Sequence, residues 1–232
     1  MFGIIYIVLS LMLGKELAEV FLFTGKNSTL PGIDHKKKSC NPIWILMPAA
    51  FGMGTLVFGW GTYMIAWAAS EAGAAKPLIY GNTAVMLVSA VFIGYLYSKR
   101  YRRTGSVLTE ADRNLVTDCN SFRKECLVFG ILFVFLTWIM FYVFYIRGGV
   151  LYSGFTVYGD YAPHTAMMRS FSKGNNFPTE YPHFGGQDVK YHFMFQFLVG
   201  NLEFLGIRLD FSYNIVSVLA LLGFLMLLYS IA

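Results

Sequence analysis

Cys126–Ile146 reads CLVFGILFVFLTWIMFYVFYI, 21 residues without a single charge. A helix of about 20 apolar residues crosses a hydrocarbon layer of about 30 Å, so this run is a membrane span by length and chemistry. The rest of the chain agrees. Of its 232 residues, 56% are hydrophobic, 18% aromatic and only 13% charged, where a soluble domain carries about 25% charge. Mean hydropathy is +0.54. Outward from this span lie five more apolar runs. They are Phe2–Phe23, interrupted at Lys15–Glu19; Ile43–Ala69; Leu78–Ser98; Tyr191–Gly206, which is short and partly polar; and Ser212–Ile231. No strand is expected, because the runs are too long and the two-residue alternation of a membrane barrel is missing. The expected fold is all-α. It is a polytopic integral membrane protein with about six transmembrane helices and one large external loop, 147–190, carrying short interfacial helices. It divides into an N-terminal three-helix region (1–98), a basic connector (99–125) and a module covering 126–232.

Cytoplasmic loops favour Lys and Arg. Twelve fall in 24–42, 99–125 and 207–211, against five in 70–77 and 147–190. This puts the first set in the cytoplasm, and both the N-terminus and 147–190 outside the cytoplasmic membrane. It also explains a pI near 9.0 without a nucleic-acid partner. Cys40, Cys119 and Cys126 then lie on or near the reducing side, and an odd number without CxxC predicts no disulfide. The sequon at Asn27 falls inside and is expected to stay unused. The N-terminus lacks a basic n-region and a cleavage site, so it reads as the start of a helix. In the connector, Thr109 is placed to cap a short amphipathic helix, with Glu110 and Arg113 pairing on one face. Lys15 and Glu19 are also spaced to pair. Gly52, Gly54, Gly59 and Gly61 predict close packing of the second span. Asn201 and Glu203 predict helix–helix contact. The chain stops at LLYSIA, and the expectation is of the front part of a longer protein.

The exception to this apolar pattern is Tyr158–Pro178, YGDYAPHTAMMRSFSKGNNFP. Polar groups beside a bilayer are costly to bury, so they face water, each other or a ligand. GDYAPH reads as a turn. HTAMMRSFSKG reads as a short amphipathic helix closing at Gly174, a C′ residue. Asp160 and His164 converge if that helix starts near Pro163, a favoured first position. NNFPTEYPHFGGQD reads as loop, and VKYHFMFQFLVGNLEFLG leads back to the membrane.

These residues carry a resemblance. A span that exits to the outside is followed by an acidic residue, a short interfacial helix ending SKGNNFP, and then YPHF and YHFMFQFLVGNLEFLGI. The stretch 126–232 resembles the first external loop of GT-C type membrane glycosyltransferases, such as protein mannosyltransferases and aminoarabinose transferases. The resemblance implies transfer of a sugar from a polyprenyl-phosphate donor at the outer face, with membrane lipid as a second partner. It puts Asp160 at the family's catalytic acidic position, and Tyr181-Pro182-His183 where the family has HPP. Tyr161 stands where the family often has a second acid, and the HPP order is not reproduced. The first three spans have no counterpart in that pattern.

Transfer to a hydroxyl needs a proton acceptor, which Asp160 supplies, and positive charge on the departing phosphate. The candidate substrate-binding residues are His164, Arg169, Lys173, His183 and Lys190. The residues name no certain cofactor. A divalent metal is compatible with the acidic position, while His164, His183 and His192 match no compact zinc spacing. Plainer readings stand beside each. Asp160 also fits an Asx turn, Arg169 and Lys173 also fit anionic lipid, and the histidines also fit interfacial packing. A transporter or flippase, which would show inverted repeats not seen here, and a scaffold with a partner-binding loop are the competing functions.

Overall fold

The computed structural model describes residues 1–23, 40–109, 112, 115–155 and 158–232. They form α1 (Phe2–Phe23), α2 (Ile43–Glu71), α3 (Pro77–Thr104), α4 (Cys119–Val143), β1 (Phe144–Arg147), β2 (Val150–Ser153), α5 (Tyr158–Ser172), α6 (Met194–Phe204) and α7 (Leu209–Ile231). Four of these helices, α2, α3, α4 and α7, are long and apolar enough to cross a membrane. That makes an integral membrane protein, but not one with six such helices. Two expected spans fall short for different reasons. α1 has the length, 22 residues, but Lys15, Glu16 and Glu19 break its apolar run. α6 has only 11 residues, about 16 Å of helix, half of a hydrocarbon layer.

Contacts sort the chain into two ends. The Gly3 N–H donates to the Leu205 carbonyl (3.2 Å), so the start of α1 lies beside the α6–α7 turn. From there α1 runs antiparallel to α2, with Ser10 and Gly14 against Gly54 and Ala50. The approach is backbone to backbone. A Cβ on Gly14 would lie 2.0 Å from the Ala50 oxygen, and one on Gly54 would lie 2.1 Å from the Ser10 oxygen. Of the four glycines expected to pack closely, Gly54 makes this contact and Gly52 meets nothing within 4 Å. At the other end of the molecule, Ile43 N–H donates to Leu115 O (3.2 Å), and the Arg100 guanidinium of α3 pairs with Glu16 (2.5 Å).

The first end, the loop end, therefore gathers Met1, the α2–α3 turn, the 144–193 segment and the α6–α7 turn. Arg208 belongs here and not with Arg100 and the connector after α3, because α6 is too short to carry the chain across. Arg208 donates to Ile146 O (3.3 Å) and to Asp210. Asp210 is fully buried and accepts the Ile146 N–H (2.9 Å). The Arg208–Asp210 pair thus clamps both backbone groups of one residue of β1.

Three local expectations are corrected at this end. The fold is not wholly helical: β1 and β2 form an antiparallel hairpin pairing Phe144 with Ser153 and Arg147 with Val150. Its two-residue turn is Gly148–Gly149, with φ of +59° and +79°, the backbone that such hairpins require and glycine tolerates. GDYAPH is helix and not turn, since α5 starts at Tyr158 and Pro163 sits inside it. Gly174 is not the left-handed residue after that helix; Asn175 is, at φ +50°.

The opposite end is polar inside. Lys15 pairs with Glu19, as its spacing predicts, and with Asp112, both at 2.9 Å. Thr109 does act as a cap. Its hydroxyl accepts the Asp112 N–H (2.9 Å) and the Asp112 carboxylate accepts the Thr109 N–H (2.9 Å), the reciprocal pattern of a capping box. Burial disfavours the Asp112 charge, but the Thr109 N–H and Lys15 outweigh it and hold its pKa below the ordinary value. Glu125, buried in α4, accepts from Asn41 (2.7 Å), Trp44 (2.6 Å), Ser121 (2.8 Å) and Tyr229 (2.7 Å), so one carboxylate ties α4 to both neighbouring helices. Cys40, Cys119 and Cys126 lie at this end, and none of the three is in a disulfide. Asn27, Glu110 and Arg113 lie outside the described residues.

Candidate functional site at the loop end

α5 is amphipathic, and its buried side fixes everything above it. Met167, Met168 and Phe171 are buried against α6. The two helices meet closely because Gly200 has no side chain: a Cβ there would lie 2.3 Å from the Met168 oxygen. Below this contact, Asn201 and Asn82 exchange two hydrogen bonds (2.7 and 2.9 Å). Asn201 is thus a helix–helix contact, as its position in an apolar run predicts.

The 173–193 segment folds back over α5 and is pinned from below. The buried Thr179 hydroxyl bonds the Tyr63 hydroxyl (2.9 Å), and Ser70 donates to Phe177 O (2.9 Å). The Asn176 carboxamide bridges the Glu180 backbone, accepting its N–H and donating to its carbonyl, both at 2.8 Å. A turn follows, with Tyr181 N–H on Gln187 O (2.8 Å) and the Glu180 carboxylate accepting the Gly186 N–H (3.0 Å).

Between this lid, α5 and the start of α6 lies a cavity of about 200 Å³, lined by Pro163, His164, Met167, Tyr181, Tyr191, His192 and Gln196. Gln196 is 3% exposed. Its amide sits between the carbonyls of His192 (3.2 Å) and Phe193 (3.3 Å) and His164 Nδ1 (2.7 Å), and because carbonyl oxygens only accept, the nitrogen is assigned to the carbonyls and the oxygen to His164 Nδ1. The Tyr191 ring centroid stands 6.3 Å from that of His164 and 3.8 Å from that of His192.

The expected site residues divide. His164 lines the cavity. Asp160 lies four residues earlier on the same helix, exposed, with no hydrogen bond to any described residue. The two share α5, which starts at Tyr158 and not near Pro163, but only His164 lines the cavity. Arg169 is tied to Glu203 at 3.5 Å, and Glu203 also accepts from Ser172 (2.6 Å). Lys173 and Lys190 are exposed. His183 is exposed on the turn, its ring 5.5 Å from Tyr181. Among the described residues no three His, Cys, Asp or Glu side chains gather as metal ligands. Sequence reasoning missed Gln196, although a lone polar residue inside HFMFQFLV is the signal that it used for Asn201. It also missed the tyrosine walls.

No protein-family model, no curated protein and no solved structure matches this chain.

Proposed function

We propose that this protein transfers a sugar from a polyprenyl-phosphate carrier to an acceptor hydroxyl, at the outer face of the cytoplasmic membrane. The observation that carries this reading is the cavity at the loop end. It is walled by two tyrosines and two histidines, stands directly above the apolar helices, and has Asp160 one helical turn away. Tyrosine faces and imidazole nitrogens suit a hydroxylated ring. A cavity of about 200 Å³ suits one ring better than a whole carrier lipid, whose chain would lie along the helices. Lys173 and Lys190 are exposed cations at the same end that can meet the carrier phosphate. Arg169 contributes through the half of its side chain left open by Glu203 (49% exposed). The proton acceptor comes from the Asp160–His164 face of α5.

The test uses the purified protein in lipid nanodiscs with a polyprenyl-phosphate hexose. Wild type binds and transfers. Lys173→Ala with Lys190→Ala weakens binding. Asp160→Asn with His164→Gln binds normally and does not transfer. A wild type that binds no sugar lipid overturns the reading. A partner-binding loop then takes its place, a second reading favoured by the commitment of Arg169 to Glu203.

A further inference from the structure

We propose that His164, and not Asp160, takes the acceptor's proton, and that Gln196 sets His164 in the form that can do so. This rests on the glycosyl-transfer reading above.

Gln196 decides which ring nitrogen of His164 carries the proton. Two carbonyl oxygens, of His192 and Phe193, face one end of its amide. Carbonyl oxygens only accept, so the NH₂ group must face them. The amide oxygen then faces the His164 ring at 2.7 Å, and an oxygen without a proton needs a donor opposite. Nδ1 therefore carries the proton. In a neutral imidazole this leaves the lone pair on Nε2, which bonds no other described residue. The ring lines the cavity, so His164 offers a fixed, unprotonated nitrogen where a hydroxyl of the acceptor would lie. A base oriented by a third group is the arrangement that proton abstraction requires.

Asp160 lacks these features. It is exposed, and no described residue orients it. The other titratable groups around His164 are Tyr181, Tyr191 and His192, none of which is held by a comparable bond among the described residues. The step balances without a co-reactant. The acceptor oxygen bonds the sugar's anomeric carbon as the bond from that carbon to the phosphate oxygen breaks. The hydroxyl proton passes to His164 Nε2, and polyprenyl phosphate leaves with the electron pair. Gln196 touches no reacting atom and is a positioning residue.

Two measurements on the intact protein in nanodiscs test this. Nitrogen NMR of histidine-labelled protein, with His164 assigned from its loss in His164→Asn, should show Nδ1 protonated and Nε2 bare. In Gln196→Leu that preference should disappear. With a polyprenyl-phosphate hexose as substrate, His164→Asn and His164→Gln should each lose about 10²–10⁴-fold in transfer with substrate affinity unchanged, and Asp160→Asn should lose less than either. A proton on Nε2 overturns the proposal, as does transfer that survives both His164 changes. In either case a wild type that transfers leaves the glycosyl-transfer reading standing. A wild type that binds no sugar lipid overturns both together.

Discussion

At Gly54 a single hydrogen in place of a methyl group decides whether two helices meet. An alanine there would drive its Cβ into the Ser10 carbonyl of α1, while Gly52, two residues earlier, faces open space. Gly54→Ala is expected to cost about 1–3 kcal/mol, and Gly52→Ala nothing, read as thermal unfolding midpoints in one detergent. The sequence makes small-residue packing of this span legible, but not which glycine is used. That depends on the phase of a partner, Gly14, which lies forty residues away. Glu125 is the opposite case, a buried residue that sequence reading passed over. Its carboxylate satisfies four side-chain donors at once. Glu125→Leu leaves the Trp44 indole N–H buried without its acceptor and leaves the Asn41 amide only the 3.4 Å bond to Asp118 O, so a loss of about 1–3 kcal/mol is expected in the same unfolding assay. His164 was legible as a candidate. Its orientation was not, because the carbonyls that orient Gln196 come from the backbone of the α6 start, which carries no residue-type signal.

At the scale of elements, the long apolar helices were legible because a hydrocarbon layer dictates both length and composition. The segments beyond them were less so. α6 reads as a span when its apolar flanks are counted, yet Gly206, at φ +94°, stops the helix early and turns the chain back. The hairpin signal, Gly-Gly between FYIR and VLYS, was present and was overridden by the apolar run leading into it. The capping box at Thr109 and Asp112 was half legible: the cap was, the partner was not. It carries a pH dependence. Because Asp112 has a folded pKa below its ordinary 3.8, its contribution is complete above that value and is lost as the pH falls through the folded one. Hydrogen exchange in 105–109 and 115–118 is expected to be flat from neutral pH down to about 4, once the intrinsic rate is divided out, and to rise below it. Asp112→Asn should raise that exchange at neutral pH.

For the whole molecule, the short α6 sets the topology. Arg208 shares an end with Phe184 and Lys76, and Arg102 lies at the other. In a chain with Cys40, Cys119 and Cys126 replaced by serine, single cysteines at 76, 184 and 208 should react with an impermeant maleimide from one side of sealed vesicles, and one at 102 only from the other. Reaction of 208 together with 102 would restore the six-span arrangement. The paired charges of α1 bear on a different matter, the order of biosynthesis. Lys15, Glu16 and Glu19 leave the ribosome before Arg100 and Asp112, which follow 84 and 97 residues behind their partners. Lys15 and Glu19 can pair within α1 as soon as it is made, but Glu16 waits for Arg100 near the end of α3. An uncompensated charge deep in a bilayer costs about 2.5–3.5 kcal/mol, so α1 is not fully satisfied until α3 is complete. Nascent chains arrested before Arg100 should leave α1 open to protease, and chains arrested well after Asp112 should shield it. α1 is thus made before α3 and settles only after it.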